Sequence, residues 1–557
     1  MRLGVGIALW AVFAVWLAPA LLSLAHRGAL PFADLLLRGR GTIPLSAYLE
    51  QWRWSAIWLT GLGGTAAVIA VERRWLQTPA LSVAVLIGGA FLFHVAAIRD
   101  GMWYGSDAAL YIHHARNIVE GVSYSSTGYL VNPTLFHSPQ SYPPFFPLML
   151  APVYAVAGLD LHAMKVLVVA TAALTAGALY LVARRMLPVG PSLVVAWLFA
   201  FSPFVGWLKD DLASDIPFLT MVLLCLRTAE KAQAIDGRSD AGWKYGAAVG
   251  LLCYAAVATR SVGIVLLPAV LLADIVRVRR ISRYTAALSV VALSLVGLQE
   301  VLLRSVSFYA SHSDWRDLGL IVKTTVRNAG FLTNMMFGGL PDAVQKVAAV
   351  AAVVAALHGM LLLFHQRRFS TVLFVAGYTA ALLLWPNTSG PRILLPQLAL
   401  GLIFVLVALW PADGRQEWRR ALAAAMVALF ATSYAARYHE TSRTPLPDAF
   451  DRPDHIELAA FVKRETTRDD VFIAMAPRTF TLLTRRTATI YDIRLPLEDQ
   501  WNYFSSIHAS YIVARRGTIE KDAVYLARLI STYRDRVRLA FSNATYQVYH
   551  IVPAGAR

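Results

Sequence analysis

Long runs of consecutive apolar residues recur along this chain, and no other feature limits its folding as strongly. A helix needs roughly 17 to 25 such residues to cross about 30 Å of hydrocarbon, where only helices and closed barrels satisfy every backbone N–H and C=O. The composition agrees. Of 557 residues, 57% are hydrophobic and 15% are charged, with a mean hydropathy of +0.53, whereas a soluble domain carries about a quarter charged residues. Hydrocarbon rather than water surrounds most of this chain.

The apolar runs predict spans near 3–25, 55–71, 79–97, 161–183, 190–207, 213–229, 243–258, 260–276, 284–302, 344–364, 369–385, 392–410 and 418–435. The fold class expected is an all-α polytopic membrane bundle of about thirteen transmembrane helices. Cytoplasmic loops retain Lys and Arg. The basic clusters Arg73/Arg74, Arg184/Arg185, Lys231 with Arg238 and Lys244, Arg277 with Arg279, Arg280 and Arg283, Arg367/Arg368, and Arg415 with Arg419 and Arg420 all fall on one side of that arrangement. The N-terminus is then cytoplasmic and everything after about residue 436 lies outside, in a plasma (inner) membrane. The first run is too long for a signal peptide and fits the parity as a retained anchor.

A net charge of +17 raises the question of a nucleic-acid partner. The charge is spread over the basic loops and the tail instead of being gathered on one element, which suits topology and contact with membrane lipids and argues against nucleic acid. The two cysteines, Cys225 and Cys253, fall inside predicted spans and read as packing residues. No Gly-rich phosphate loop of the GxGxxG or GxxxxGK[ST] type occurs, so a nucleotide substrate is not expected.

The loops are unequal. Residues 98–160 form an outer segment too long for a mere connection. It opens on Arg99 and Asp100, reaches Ser106-Asp107, and continues as a helical pattern through Tyr111, His113, His114 and Arg116, with Ser106 or Asp107 as its cap. It ends on Tyr142-Pro143-Pro144-Phe145-Phe146-Pro147, a stiff aromatic entry to an apolar stretch, 145–157, that is too short to span and reads as re-entrant or interfacial. A second outer loop, 208–215, is dense in charge, with Lys209, Asp210, Asp211 and Asp215. Asp215 either caps the next span or works at its mouth, and Asp210 and Asp211 are either solvated charges or part of a site. Thr259-Arg260 makes a tight turn, and Pro391-Arg392-Ile393-Leu394-Leu395-Pro396 leads into a late span. An arginine at such a mouth can snorkel to headgroups or grip a phosphate through its forked donors.

This order of features resembles the membrane-embedded glycosyltransferases of the GT-C superfamily. They are an early Asp in a long first outer loop, a Tyr-Pro-Pro element, a second acidic loop, a Thr-Arg turn and a late Pro-Arg-Ile-Leu-Leu-Pro segment. The resemblance is to the branch holding protein O-mannosyltransferases and the lipid A aminoarabinose transferase, and it covers roughly residues 80–435. The chain departs from the family pattern at Ala108, where the family usually carries Glu after the Asp. The resemblance implies transfer of a sugar from a polyprenyl phosphate donor to a hydroxyl or amine of a lipid, glycan or protein acceptor. Asp107 would then be the base, with Asp215 and either Asp210 or Asp211 placing acceptor or base. Arg392, helped by Arg260, would hold the lipid phosphate, and Lys209, Tyr111, His113, His114 and Tyr142 are further candidates for substrate contacts. A hard divalent ion, Mg2+ or Mn2+, suits opposed carboxylates, although no tight ligand spacing demands one.

Three domains follow from this reading: a two-helix transmembrane addition at 1–78, a catalytic core at 79–435 with outer loops 98–160, 208–215 and 303–343, and an extracytoplasmic α/β domain at 436–557. In the last, helical patterns alternate with short β-branched and aromatic runs such as Val471–Met475 and Tyr511–Ala514. A secondary transporter would show inverted repeats and charges at the midplane, which these spans lack. A glycolipid flippase or a non-catalytic glycolipid-binding protein remains compatible with the same pattern.

Overall fold

The structure, a computed structural model, describes residues 79–99, 101–103, 105–135, 138–233, 241–303, 318–384, 390–410, 417–441, 452–516 and 520–552. The chain divides into two compact units. One comprises Met1–Ile98 and Lys165–Pro445, the other Arg99–Met164 and Leu446–Arg557. This partition differs from the linear one, because it groups the first long loop with the tail and not with the helices on either side of it.

The first unit is a bundle of apolar helices. The expected spans at 3–25 and 55–71, and with them the 1–78 addition, lie outside the described residues. The other expected spans each coincide with helical structure to within a few residues, from Pro79–Ala96 to Glu417–Thr441. Among the described residues, five helices are long and apolar enough to cross a membrane unaided: Leu161–Ala183, Ser261–Val278, Arg283–Leu303, Asp342–His365 and Pro391–Leu409. A multi-pass membrane protein follows from these alone. The Asp342–His365 helix exposes Val347, Val350, Leu357 and Leu361 along its length, a side that hydrocarbon would solvate. The helices Ala241–Thr259 and Arg283–Leu303 approach closely. At Gly246 and Gly250 an added Cβ would collide with the Tyr284 and Leu288 carbonyls, so the small-residue spacing lets the two backbones meet. Cys225 and Cys253 are buried free thiols with their sulfurs 3.5 Å apart.

Two expectations change. The span expected at 190–207 is broken into Val189–Ala200 and Pro203–Asp210, which meet at 44°. The cause is local: Ser202 Oγ accepts from the Phe204 N–H at 3.3 Å and Pro203 follows it, so a new helix is capped where the old one loses a donor. The segment 303–343, expected as an outer loop, contains a helix at Leu318–Phe337. Lys323 and Arg327 interrupt its apolar run in the sequence, and in the helix they are four residues apart on one side while Thr324, Asn328 and Phe337 are buried.

The second unit is built on a five-stranded sheet: β1 (Val471–Ala474), β2 (Thr487–Thr489), β3 (Ala509–Arg515), β4 (Val537–Ser542) and β5 (Tyr546–Ile551), in the order β2-β1-β3-β5-β4. The pairs β1/β2 and β1/β3 are parallel, while β3/β5 and β4/β5 are antiparallel. Alternate residues feed opposite faces, as a pleated strand requires. Phe472, Ala474 and Val513 pack with Leu458, Val462 and Phe480 from the helices Pro453–Glu465 and Pro477–Thr484. Ile473 and Ile512 pack with Trp501, Phe504, Leu526 and Leu529 from the helices Leu497–Ser506 and Glu520–Thr532. The Leu497–Ser506 helix has no counterpart in the sequence reading.

The first long loop completes this unit. Its helices Ala108–Glu120 and Phe145–Ala157 pack on one another, and Ala108–Glu120 also packs on Pro477–Thr484. At 13 residues, Phe145–Ala157 is about 20 Å long, too short to cross. Residues 128–130 lie along the outer edge of β2: Ala488 N–H donates to the Gly128 carbonyl at 2.9 Å and Leu130 N–H to the Ala488 carbonyl at 2.9 Å. Gly128 has φ of +71°, and a Cβ there would press on the Arg486 carbonyl, so this docking needs glycine. Asn132 Nδ2 donates to the Ile490 carbonyl and Arg494 to the Thr134 carbonyl, which ties the loop down further.

Candidate active site

Asp107 occupies the N-cap position of the Ala108–Glu120 helix, yet its carboxylate makes no cap hydrogen bond. The preceding serine does that work. Ser106 Oγ accepts from Ala108 N–H at 3.0 Å, and the Asp107 side chain is released to point elsewhere. It meets two donors on one oxygen: Tyr142 Oη donates to Oδ1 at 2.8 Å and Arg478 Nη1 at 2.5 Å. Arg478 also donates to Tyr142 Oη at 2.8 Å and, through Nη2, to the Gly105 carbonyl at 2.8 Å. A triangle of carboxylate, phenol and guanidinium results. Its arginine side chain is 6% exposed and its carboxylate 15%. Burial opposes the guanidinium's charge, but the facing Tyr142 and Asp107 outweigh it and raise its pKa, so the cation is permanent.

Tyr142 is held from both sides of its backbone. Its N–H donates to His114 Nε2 at 3.2 Å, and its carbonyl accepts from Tyr124 Oη at 2.8 Å. His114 Nδ1 in turn donates to the Tyr124 carbonyl at 2.8 Å. A carbonyl can only accept and an amide N–H only donate, so the imidazole must be neutral with its proton on Nδ1. Burial agrees, pushing the His114 pKa down to about 4 against the lift from the Tyr124 carbonyl. His113 is held well below the ordinary range by burial and by the charge of Arg116, which donates to His113 Nδ1 at 3.4 Å. Tyr111 packs its ring 4.8 Å from Tyr142 and 5.0 Å from Phe146. Of the residues singled out in the first loop, His114 and Tyr111 thus brace Tyr142, and Tyr142 braces Asp107. The proline that follows Tyr142 restricts it to extended backbone, which suits this clamping.

The bundle unit gathers the second group. Asp215 opens the Asp215–Gln233 helix, and its Oδ1 lies 2.6 Å from Arg260 Nη1. The carboxylate is 3% exposed, and its other oxygen is buried with no hydrogen-bond partner among the described residues. Tyr378 Oη donates to the Ile393 carbonyl at 3.0 Å, beside Arg392, and its ring stacks on Phe218 near the start of the Asp215 helix. The 391–394 turn that carries Arg392 is thereby tied to the element that carries Asp215. Lys209 and Asp210 serve one another: Lys209 Nζ donates to Asp210 Oδ1 at 2.7 Å and to the Ala97 carbonyl at 2.7 Å, with both side chains buried. That arrangement anchors the end of the bent Pro203–Asp210 helix to the chain at Ala97. Asp211 is also buried, and Leu212 beside it has φ of +50°, a conformation a branched side chain adopts only under constraint.

A hard cation fits these carboxylates poorly. Asp107, Asp210 and Asp215 each already face a guanidinium or ammonium, and among the described residues no group of three or more His, Cys, Asp or Glu is placed to hold a metal ion.

The sequence alone did not point to Arg478 or Tyr124. Nothing local marks Arg478: it stands 371 residues from Asp107, behind a proline at the start of an ordinary helix.

Comparison with known proteins bears on this geometry. Residues 141–303 match the model of the dolichyl-phosphate-mannose-protein mannosyltransferase family. No curated protein matches the chain. Among solved structures, the chain is similar to ArnT from Cupriavidus metallidurans bound to undecaprenyl phosphate, with a TM-score of 0.53 and 13% identity over 86% of this chain and 99% of that one. It is also similar to the archaeal oligosaccharyltransferase AglB from Archaeoglobus fulgidus, in complex with an inhibitory peptide and a dolichol-phosphate. There the TM-score is 0.53 at 13% identity, over 79% of this chain and 70% of that one. At that identity the likeness is one of fold, and the fold is the one the GT-C resemblance implies.

Proposed function

We propose that this protein is a glycosyltransferase that moves a sugar from a polyprenyl phosphate to a hydroxyl or amine acceptor at the extracytoplasmic face of the membrane. The release of the Asp107 carboxylate from helix capping, and its capture in a frame built of Tyr142 and Arg478, carries the reading. A carboxylate required only to start a helix would do what Ser106 does. The shared fold supports the same reading, since one solved relative was bound to undecaprenyl phosphate and another to a dolichol-phosphate. The basic loops support an orientation with the N-terminus in the cytoplasm and the tail outside, where lipid-linked sugars would be the donors.

In the step proposed, the acceptor oxygen or nitrogen forms a bond to the anomeric carbon as the bond from that carbon to the phosphate oxygen breaks. The electron pair leaves with the polyprenyl phosphate, the configuration inverts, and the acceptor's proton passes to Asp107. Arg392 holds the departing phosphate, since a guanidinium is matched to it. Lys209, Asp210 and the two histidines serve as supports.

The test is turnover by purified, reconstituted protein with a panel of undecaprenyl-phosphate hexoses, read as release of undecaprenyl phosphate. Asp107→Asn should lower kcat by about 10²- to 10⁴-fold, the usual worth of a positioned base, and leave donor binding intact. Wild-type turnover by that variant would end the assignment.

A further inference from the structure

We infer that Arg478, supplied by the tail, is the positioning residue for Asp107, so that the sugar-transfer step depends on a side chain outside the membrane bundle. The inference rests on the reading of Asp107 as base. It starts from how badly Arg478 is placed by ordinary criteria. It follows Pro477 in the first turn of the Pro477–Thr484 helix, where the helix dipole disfavours a cation. Its side chain is also buried, which is costly for a guanidinium without partners. A residue set against both tendencies is explained by what it holds.

What it holds is the whole approach to Asp107. Residues 478 and 479 take both backbone groups of Gly105: Arg478 Nη2 donates to its carbonyl at 2.8 Å, and its N–H donates to Thr479 Oγ1 at 3.1 Å. Gly105 has φ of +107°, and a Cβ there would touch the Ala476 Cβ, so the turn is moulded onto the 476–479 segment. The remaining contacts fix Asp107 itself. Nη1 reaches both Oδ1 and Tyr142 Oη, so one planar fork sets the loop backbone, the phenol and the carboxylate together.

The chemical consequence is twofold. A largely buried carboxylate with no counter-charge favours its protonated form and then cannot accept a proton, whereas an adjacent guanidinium favours the ionised form. Two donors converging on one oxygen also fix the plane of the carboxylate, and orientation of this kind is worth orders of magnitude in rate. Arg478 itself gains and loses no proton in the step.

The experiment uses the full chain in liposomes with the undecaprenyl-phosphate hexose that turns over, comparing Arg478→Gln, Arg478→Lys, Asp107→Asn and the Asp107→Asn/Arg478→Gln double variant. We expect Arg478→Gln to lower kcat by about 10²-fold with donor KM unchanged, and its acid limb of kcat/KM to move to higher pH. Arg478→Lys keeps the charge but not the fork and should recover part of that loss. The double variant should be no slower than Asp107→Asn alone, because Arg478 acts through Asp107. A merely structural arginine would lower thermal stability and active fraction together and leave kcat per folded molecule and the pH profile unmoved, and that result would overturn the inference. So would multiplicative losses in the double variant. If Arg478→Gln does not fold, wild-type kcat in Arg478→Lys overturns it equally. An active Asp107→Asn sinks the base assignment instead, while an inert Asp107→Asn beside a fully active Arg478→Gln sinks only the role of Arg478.

Discussion

Two carboxylates in this molecule each face an arginine, and the difference between the pairs is instructive. Asp215 and Arg260 come from elements close in sequence within the apolar bundle, and the carboxylate is 3% exposed. Asp107 and Arg478 come from distant parts of the chain in the unit built around the sheet, and the carboxylate is 15% exposed and shared with a tyrosine. Deep burial of the first makes it dear to disturb, while partial access to the second lets a proton reach it. The fold therefore keeps one ion pair deep in the bundle and leaves the carboxylate of the other partly open.

The comparison breaks first at Asp215. Asp215→Ala removes the buried carboxylate that Arg260 faces and should destabilise the bundle by about 3 kcal/mol, the low end for a buried pair because Arg260 is partly exposed, seen as a lower thermal midpoint in detergent. The Asp215→Ala/Arg260→Ala double variant should regain much of that loss. Equal instability in both would mean that the pair contributes nothing as a pair. The second unit offers a pH test. His114 has a pKa of about 4 in the fold against about 6.5 unfolded, so its contribution is complete above pH 6.5 and is lost as the pH falls toward 4. At pH 5 the unit should be weaker by roughly 2 kcal/mol from this group, measured by hydrogen exchange in the 108–120 and 477–484 helices. If His114→Gln shows the same acid loss, the imidazole is not its source. The smallest effect is expected at Arg392. Its replacement by Ala should weaken donor binding about tenfold, or 1.4 kcal/mol, and unchanged affinity for undecaprenyl phosphate would remove it from the phosphate site.

The sequence shows clearly what is local. Apolar runs place the bundle helices because hydropathy and length decide them, and Asp107 and Tyr142 stand out because they sit beside turn and proline signals. The bend at Ser202-Pro203 was equally readable as a cap followed by proline at the first turn, but the apolar residues on both sides conceal it. Leu318–Phe337 is hidden for the opposite reason, since Lys323 and Arg327 interrupt its apolar run and only the helical period puts them on one side. The strand segments are legible and their order is not, because a mixed sheet is set by packing against helices and not by the composition of each strand. Arg478 lies beyond local reading altogether. Its partners are chosen by the docking of residues 128–130 on β2, which nothing in either segment announces.

That docking has a consequence for how the protein is made. Asn132 and Ile490 are 358 residues apart, so at about 5–20 residues per second the ribosome needs roughly 20 to 70 s to deliver the strand that the waiting loop will pair with. Until then Asp107 has no Arg478, and its carboxylate waits without the guanidinium that frames it in the finished fold. The frame around Asp107 is therefore a late product of synthesis, assembled only in chains that have run past the sheet.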